Sequence, residues 1–88
     1  MKIVYKYDLY AGYTNILVGG MWAKPVKVGM QNGAMKVWIE HTMMGNSTPI
    51  NFIVVGTGQS IMPNYTYLDS IFDGDYVWHI YYSVDGMA

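Results

Sequence analysis

Apolar and polar residues alternate along most of this chain, and no window repeats apolar residues at the i, i+3, i+4 spacing of an amphipathic helix. Val, Ile, Tyr and Trp suit a pleated, half-buried surface and are frequent, whereas Ala, Glu, Leu and Arg are scarce. The alternation predicts strands over residues 2–10, 14–18, 25–31, 34–41, 50–55, 65–72 and 75–83. Ten glycines and three prolines punctuate the gaps. The expected fold is a single all-β domain over residues 1–88: a small antiparallel sheet of six to seven strands, bent toward a barrel or sandwich.

Asn32-Gly33 sits between two alternating runs and suits a two-residue type I′ turn, whose central residues both need positive φ. Pairing across it sets Met30 opposite Met35, Val28 opposite Val37 and Val26 opposite Ile39, all apolar and all on one face. The other face pairs Gln31 with Ala34, Gly29 with Lys36, Lys27 with Trp38 and Pro25 with Glu40. A one-residue slip would mix the two sets, so the register is well specified. A second turn at Asp73-Gly74 would set Ile71 opposite Tyr76, Asp69 opposite Trp78 and Tyr67 opposite Ile80. The reverse face would carry Leu68, His79, Val77, Thr66 and Tyr81. Neither face is polar, so either the loop is longer or both faces are covered, by another subunit or a second sheet layer.

Composition adds a difficulty. Of 88 residues, 52% are hydrophobic and 16% aromatic, but only 12% are charged, against about 25% charged in an average soluble domain. A domain this small buries only about 60% of the surface of its unfolded chain. Some of the aromatic surface is therefore expected to meet a partner, and a homo-oligomer accounts for it. The surplus is expected at Trp38 and along residues 76–82.

Charge narrows the partners. There is no arginine, all five lysines lie in the first 36 residues, and the formal net charge is −1. Duplex nucleic acid needs a basic stripe that neutralises many phosphates, which argues against it. A small phosphate-bearing ligand needs only two or three donors. The absence of cysteine rules out disulfides and thiol chemistry and favours a cytoplasmic setting. No signal peptide is read at the start, and the longest apolar runs of three to four residues are far too short to span a membrane. Asn46-Ser47-Thr48 and Asn64-Tyr65-Thr66 match the glycosylation pattern by chance.

Three places could carry chemistry. Gly56-Thr57-Gly58-Gln59-Ser60 follows an apolar strand; it can offer backbone N–H groups to an anion or simply end the strand in a turn needing positive φ. It lacks the lysine of a P-loop and the spacing of a dinucleotide fingerprint. Trp38 stands between Lys27 across the strand and Lys36 two residues back; it could stack a base while the lysines meet a phosphate, or pack under another strand with lysine stems over it. In the run 76–82, His79 and Tyr81 share a face opposite Tyr76, Trp78, Ile80 and Tyr82, giving either core on one side and interface on the other, or a ligand pocket at His79 and Tyr81. The ligand-binding candidates are Lys27, Lys36, Trp38, Gly56, Thr57, Gly58, Gln59, His79 and Tyr81. Catalysis is not expected. His41 and His79 are the only histidines, too few for a zinc site without distant acids; Asp69, Asp73 and Asp75 cluster at a turn where Asp is common. No serine has an evident His–acid relay, so nucleophilic catalysis is not expected, and neither is a metal or a cofactor.

Four motifs occur together: Lys2-Ile3-Val4-Tyr5-Lys6-Tyr7, Gln31-Asn32-Gly33 followed by Trp38, Val55-Gly56-Thr57-Gly58 leading to Ile61, and Val77-Trp78-His79-Ile80. In this order the chain resembles, over nearly its whole length, a family of short uncharacterised bacteriophage and prophage proteins. Where that family has His-Pro after the Gly-Thr-Gly, this chain has Gln59-Ser60. The resemblance implies a small viral protein in the host bacterial cytoplasm that acts by binding. Three functions follow as expectations: an oligomer that sequesters a small nucleotide-derived host signal and so antagonises defence, a protein-binding inhibitor of a host protein, or a minor virion structural or assembly component.

Overall fold

The computed structural model describes residues 1–43 and 45–84. Every described element is a strand: β1 (Lys2–Asp8), β2 (Gly12–Val18), β3 (Ala23–Gln31), β4 (Ala34–Thr42), β5 (Thr48–Gly56), β6 (Thr66–Asp73) and β7 (Tyr76–Val84). They form two antiparallel sheets of order β1-β4-β3 and β2-β5-β7-β6, which do not close into a barrel. Alternation decides which residues face inward. Val28, Val37 and Ile39 from the first sheet meet Ile16, Val18, Ile50, Phe52, Val54, Ile71 and Ile80 from the second in one core. Each fully buried aliphatic or aromatic side chain stabilises by about 1.5–3 kcal/mol, so these inner faces dominate the fold's stability. Met30, Met35, Tyr7, Leu68, Trp78, Tyr82 and Val84 pack around the rim.

The β3–β4 hairpin turns at Asn32-Gly33, with φ of 52° and 78°, the signature of a type I′ turn. Met30–Met35, Val28–Val37, Lys27–Trp38, Gly29–Lys36 and Gln31–Ala34 pair as the pattern predicts. Beyond Lys27 the expected register fails: Pro25, not Val26, stands opposite Ile39, and Lys24, not Pro25, opposite Glu40. A proline cannot donate to the ladder, and bulges accommodate it. The bulge therefore turns Pro25 inward and leaves Val26 exposed.

The β6–β7 turn is Gly74-Asp75 rather than Asp73-Gly74, so Ile71 faces Trp78 and Asp69 faces Ile80. Gly74 alone takes positive φ, 60°, which places glycine first as in a type II′ turn; an Asp73-Gly74 turn of type I′ would force Asp73 into the left-handed region as well. A bulge between Tyr67 and Asp69 then moves Tyr67 opposite Tyr81.

β7 pairs with both β5 and β6, so β5 and β6 run parallel with one strand between them. The segment between them, residues 57–65, must cross a face of the sheet. Ile61 lines a cavity with Val55, His79 and Tyr81, which point away from the core, so the segment crosses the outer face. This also helps explain why Ile53 and Val55 are buried although they lie outside the core cluster. The aromatic surplus consequently is not centred on β7, a central strand. The exposed large apolar side chains include Tyr5, Tyr10, Tyr13, Leu17, Tyr67, Phe72 and Tyr76.

Candidate functional site

The residues nominated from sequence fall on two surfaces. The first is the outer face of the three-stranded sheet. Residues alternate, and the register sets Lys2, Lys6 and Asp8 of β1 beside Thr42, Trp38 and Lys36 of β4, with Lys24 and Lys27 of β3 beside Glu40 and Trp38. All five lysines of the chain therefore emerge from one face, against two acids, Asp8 and Glu40. Trp38 lies at its centre between Lys6 and Lys27, half-buried, its ring edge lying near the Cα of Gly29, where no side chain competes.

The lysines are not equivalent. Lys36 pairs with Asp8, Lys2 lies 3.7 Å from Glu40, and Lys6 donates to Gln31 Oε1 at 2.6 Å. Lys2 also sits 4.4 Å from the centre of the Trp22 ring, a cation–π distance. Among the described residues, Lys24 and Lys27 have no acidic partner within ion-pair distance. Lys6 was invisible as a site residue in the sequence, because the β1–β4 pairing joins segments more than thirty residues apart.

The second surface gathers Gly56, Thr57, Gly58, Gln59, His79 and Tyr81 around a cavity of about 210 Å³. The 56–59 segment is a strand-ending turn: Gln59 N donates to Gly56 O at 3.2 Å, and Gly58 has φ of 92°, as at the third position of a type II turn. Gly56 N donates to Gln59 Oε1 at 2.6 Å, so this N–H is not offered to an anion. His79 is held from both sides, with Thr57 Oγ1 2.9 Å from Nε2 and Ser70 Oγ 3.0 Å from Nδ1. Tyr67 OH lies 2.8 Å from Ser70 Oγ. Ser70 and Tyr67 were likewise missed, because bulge and turn together set which β6 residues face His79. Among the described residues no carboxylate joins this chain of hydroxyls; Asp69 Oδ1 accepts from the Ser70 backbone N instead. The arrangement pins the 56–59 turn to β7 and β6. It does not assemble a serine relay with an acid to orient the imidazole.

On the far side of the same turn, a cavity of about 380 Å³ is lined by Asp75, Tyr76 and Trp78 among others. Tyr76 and Trp78 stack, centroids 6.2 Å apart and 16° from parallel. Asp69, Asp73 and Asp75 lie on this sheet and its hairpin, and no lysine does. The structure thus brings Lys27, Lys36 and Trp38 together, and separately Gly56, Thr57, Gly58, Gln59, His79 and Tyr81, but the two groups point away from opposite sides of the core.

His41 is buried at 4% exposure and serves the core. Its Nδ1 donates to Thr42 O at 3.0 Å, and its Nε2 lies 3.4 Å from Tyr7 OH. Burial pushes the Tyr7 phenol above its ordinary value of 10.0, and Tyr5 adds to the shift.

Neither a curated protein nor a solved structure matches the chain. Over residues 1–87 it matches the family model described as a domain of unknown function, DUF7352, and the chain belongs to that family.

Proposed function

We propose that this is a small bacteriophage-type binding protein that sequesters a nucleotide-derived signal in the host bacterial cytoplasm, antagonising host defence without chemistry of its own. The observation that carries the reading is the confinement of every lysine to one face around Trp38. An indole offers a π-face to a base, and neighbouring ammonium groups attract its phosphates. Lys27 and Lys24, free of acidic partners among the described residues, are the phosphate donors, with Lys6 on the other flank of the ring. The 56–59 turn plays no part in holding phosphate in this reading, since its sheet carries acids and no lysine. The acting form is a homo-oligomer.

The test is thermal unfolding of the protein with a panel of cyclic and ADP-ribose-type nucleotides. A ligand that binds only the folded state raises the melting temperature. Loss of that rise in Trp38→Ala, with the fold intact by circular dichroism, supports the site. No rise with any nucleotide at millimolar concentration removes the proposal.

A second reading, an inhibitor that covers a host protein, is favoured by a different observation. Phe72 and Tyr76, 77% and 69% exposed, stand near the tip of the β6–β7 hairpin. Recovery of one stoichiometric host protein by the wild type but not by a Phe72→Ser, Tyr76→Ser variant would decide for it.

A further inference from the structure

We propose that β2 is a docking edge for a second copy of this chain, the two β2 strands pairing antiparallel about a twofold axis so that their four-stranded sheets join. This deepens the homo-oligomer of the proposed function by naming its interface, and it is independent of the ligand.

The four edge strands differ in how they are protected. An edge strand presents unpaired N–H and C=O groups, and proteins blunt such edges with lysines, prolines, bulges and other charges. The edges here are β1 and β3 of one sheet and β2 and β6 of the other. β1 carries Lys2, Lys6 and Asp8. β3 carries Lys24, Pro25, Lys27 and a bulge at Val26. β6 carries Asp69, Asp73 and a bulge at Leu68. β3 and β6 also lie against one another. β2 has none of these devices: it reads Gly-Tyr-Thr-Asn-Ile-Leu-Val, pairs with β5 without a bulge, and lies in an uncharged stretch running from Leu9 to Ala23. Among the described residues, no further backbone hydrogen bond reaches its free side.

The side chains point the same way. Tyr13 and Leu17 are 66% and 65% exposed, two residues to either side of Asn15. Asn15 donates its side-chain amide to Asn51 Oδ1 at 2.5 Å, within the sheet. A twofold axis through the middle of the strand sets Tyr13 of one copy beside Leu17 of the other, twice, and aromatic–aliphatic cross-strand pairs are favourable. A second copy is the occupant because of charge. β2 offers no charged group to select a charged partner, and a neutral strand meets its own copy without repulsion. Joining through β2 also leaves the lysine faces on the separate, three-stranded sheets, whereas packing through those faces would press lysines against lysines.

The experiment measures molecular mass by light scattering and sedimentation across the micromolar range. The wild type is expected to be a dimer. Leu17→Lys, which adds the missing edge charge at an exposed position, is expected to be a monomer with an unchanged circular dichroism spectrum, and Tyr13→Lys gives the same reading should Leu17→Lys fail to fold. Thr66→Lys, on the other edge of the same sheet, is expected to remain a dimer. Amides of β2 should exchange faster with deuterium in the monomeric variant, while those of β5 and β7 stay protected. A monomeric wild type, or a dimer that survives both β2 substitutions, overturns the proposal. The nucleotide panel, run on wild type and Leu17→Lys alike, keeps the two ideas apart. A wild-type dimer that no nucleotide stabilises sinks the ligand reading and leaves the interface standing; a nucleotide-stabilised monomeric wild type sinks the interface, and the oligomer with it, and leaves the ligand site on the lysine face standing.

Discussion

Gly20→Ala should be among the most damaging single-methyl additions this chain can receive, although it adds nothing to a core position. Gly20 sits at the corner between β2 and β3 with φ of 95°. A residue bearing Cβ costs about 1–2 kcal/mol in the left-handed region. The added carbon would also overlap the carbonyl oxygen and hydroxyl of Thr42, far inside the roughly 3.5 Å of ordinary contact. Thr42 cannot yield freely. Its Oγ1 accepts from Met21 N at 2.9 Å and Trp22 N at 3.3 Å, and its own N donates to Trp22 O at 3.0 Å. Displacing it weakens three hydrogen bonds worth about 0.5–1.5 kcal/mol each. The total loss is roughly 3–6 kcal/mol, comparable with the about 5 kcal/mol that a small domain has in hand. Urea unfolding followed by tryptophan fluorescence reads this directly: at a slope of about 1–3 kcal/mol per molar, the midpoint falls by at least about 1 M, or the chain is unfolded without denaturant. Gly19→Ala is the internal control, since a Cβ there meets open space at ordinary φ, and it should stay within about 1 kcal/mol of wild type. A Gly20→Ala protein equally close to wild type would refute the account of the corner.

Thr14→Val should stabilise the protein by about 1 kcal/mol in the same urea experiment, because Thr14 Oγ1 is buried without a hydrogen-bond partner and an unsatisfied hydroxyl costs about 1–3 kcal/mol; a loss of stability would show that the hydroxyl is satisfied in solution. If a nucleotide binds the lysine face, Lys27→Ala should weaken it roughly fivefold, about 1 kcal/mol for one charge at 4 Å in water, and flatten the dependence of affinity on salt; unchanged affinity and salt response would remove Lys27 from the site. Stability should fall in alkali. The Tyr7 pKa is raised in the folded state, so between the unfolded and folded values the folded chain binds more protons and ∂ΔG/∂pH is negative. This contribution is complete below about pH 10 and is lost as pH rises through the folded value. Tyr7→Phe should show a flatter urea midpoint between about pH 9 and 11, and an equally steep fall in that variant would assign the effect elsewhere.

The individual strands and the first hairpin were legible because they rest on local rules. Alternation placed the elements within a few residues of their observed ends, and the Asn32-Gly33 turn fixed the pairs from Gln31–Ala34 to Lys27–Trp38. Legibility stopped where a local rule had two solutions. Pro25 could end the ladder or enter a bulge, and Gly74 could stand second in one turn or first in another. Both outcomes depend on which side chains the facing sheet has room to bury. The candidate site divides in the same way. Lys27 beside Trp38 followed from the hairpin, but Lys6 on the other flank needed the β1–β4 pairing, and the clamp of Thr57 and Ser70 on His79 needed a crossover that returns β6 to β7.

By itself the sequence determined that the chain is all-β, where its strands run, and that its lysines fall in the first, the third and the start of the fourth of them. Turn chemistry and side-chain alternation act over a few residues and need no partner to be read. Only the tertiary structure decided that Trp38 and the 56–59 turn look away from opposite sides of one core. It also decided that β7 is central and that β2 is left as an edge with no protection. Those outcomes depend on strand order, which is set by how two sheets jointly bury their apolar faces across long loops, and no local pattern encodes that choice.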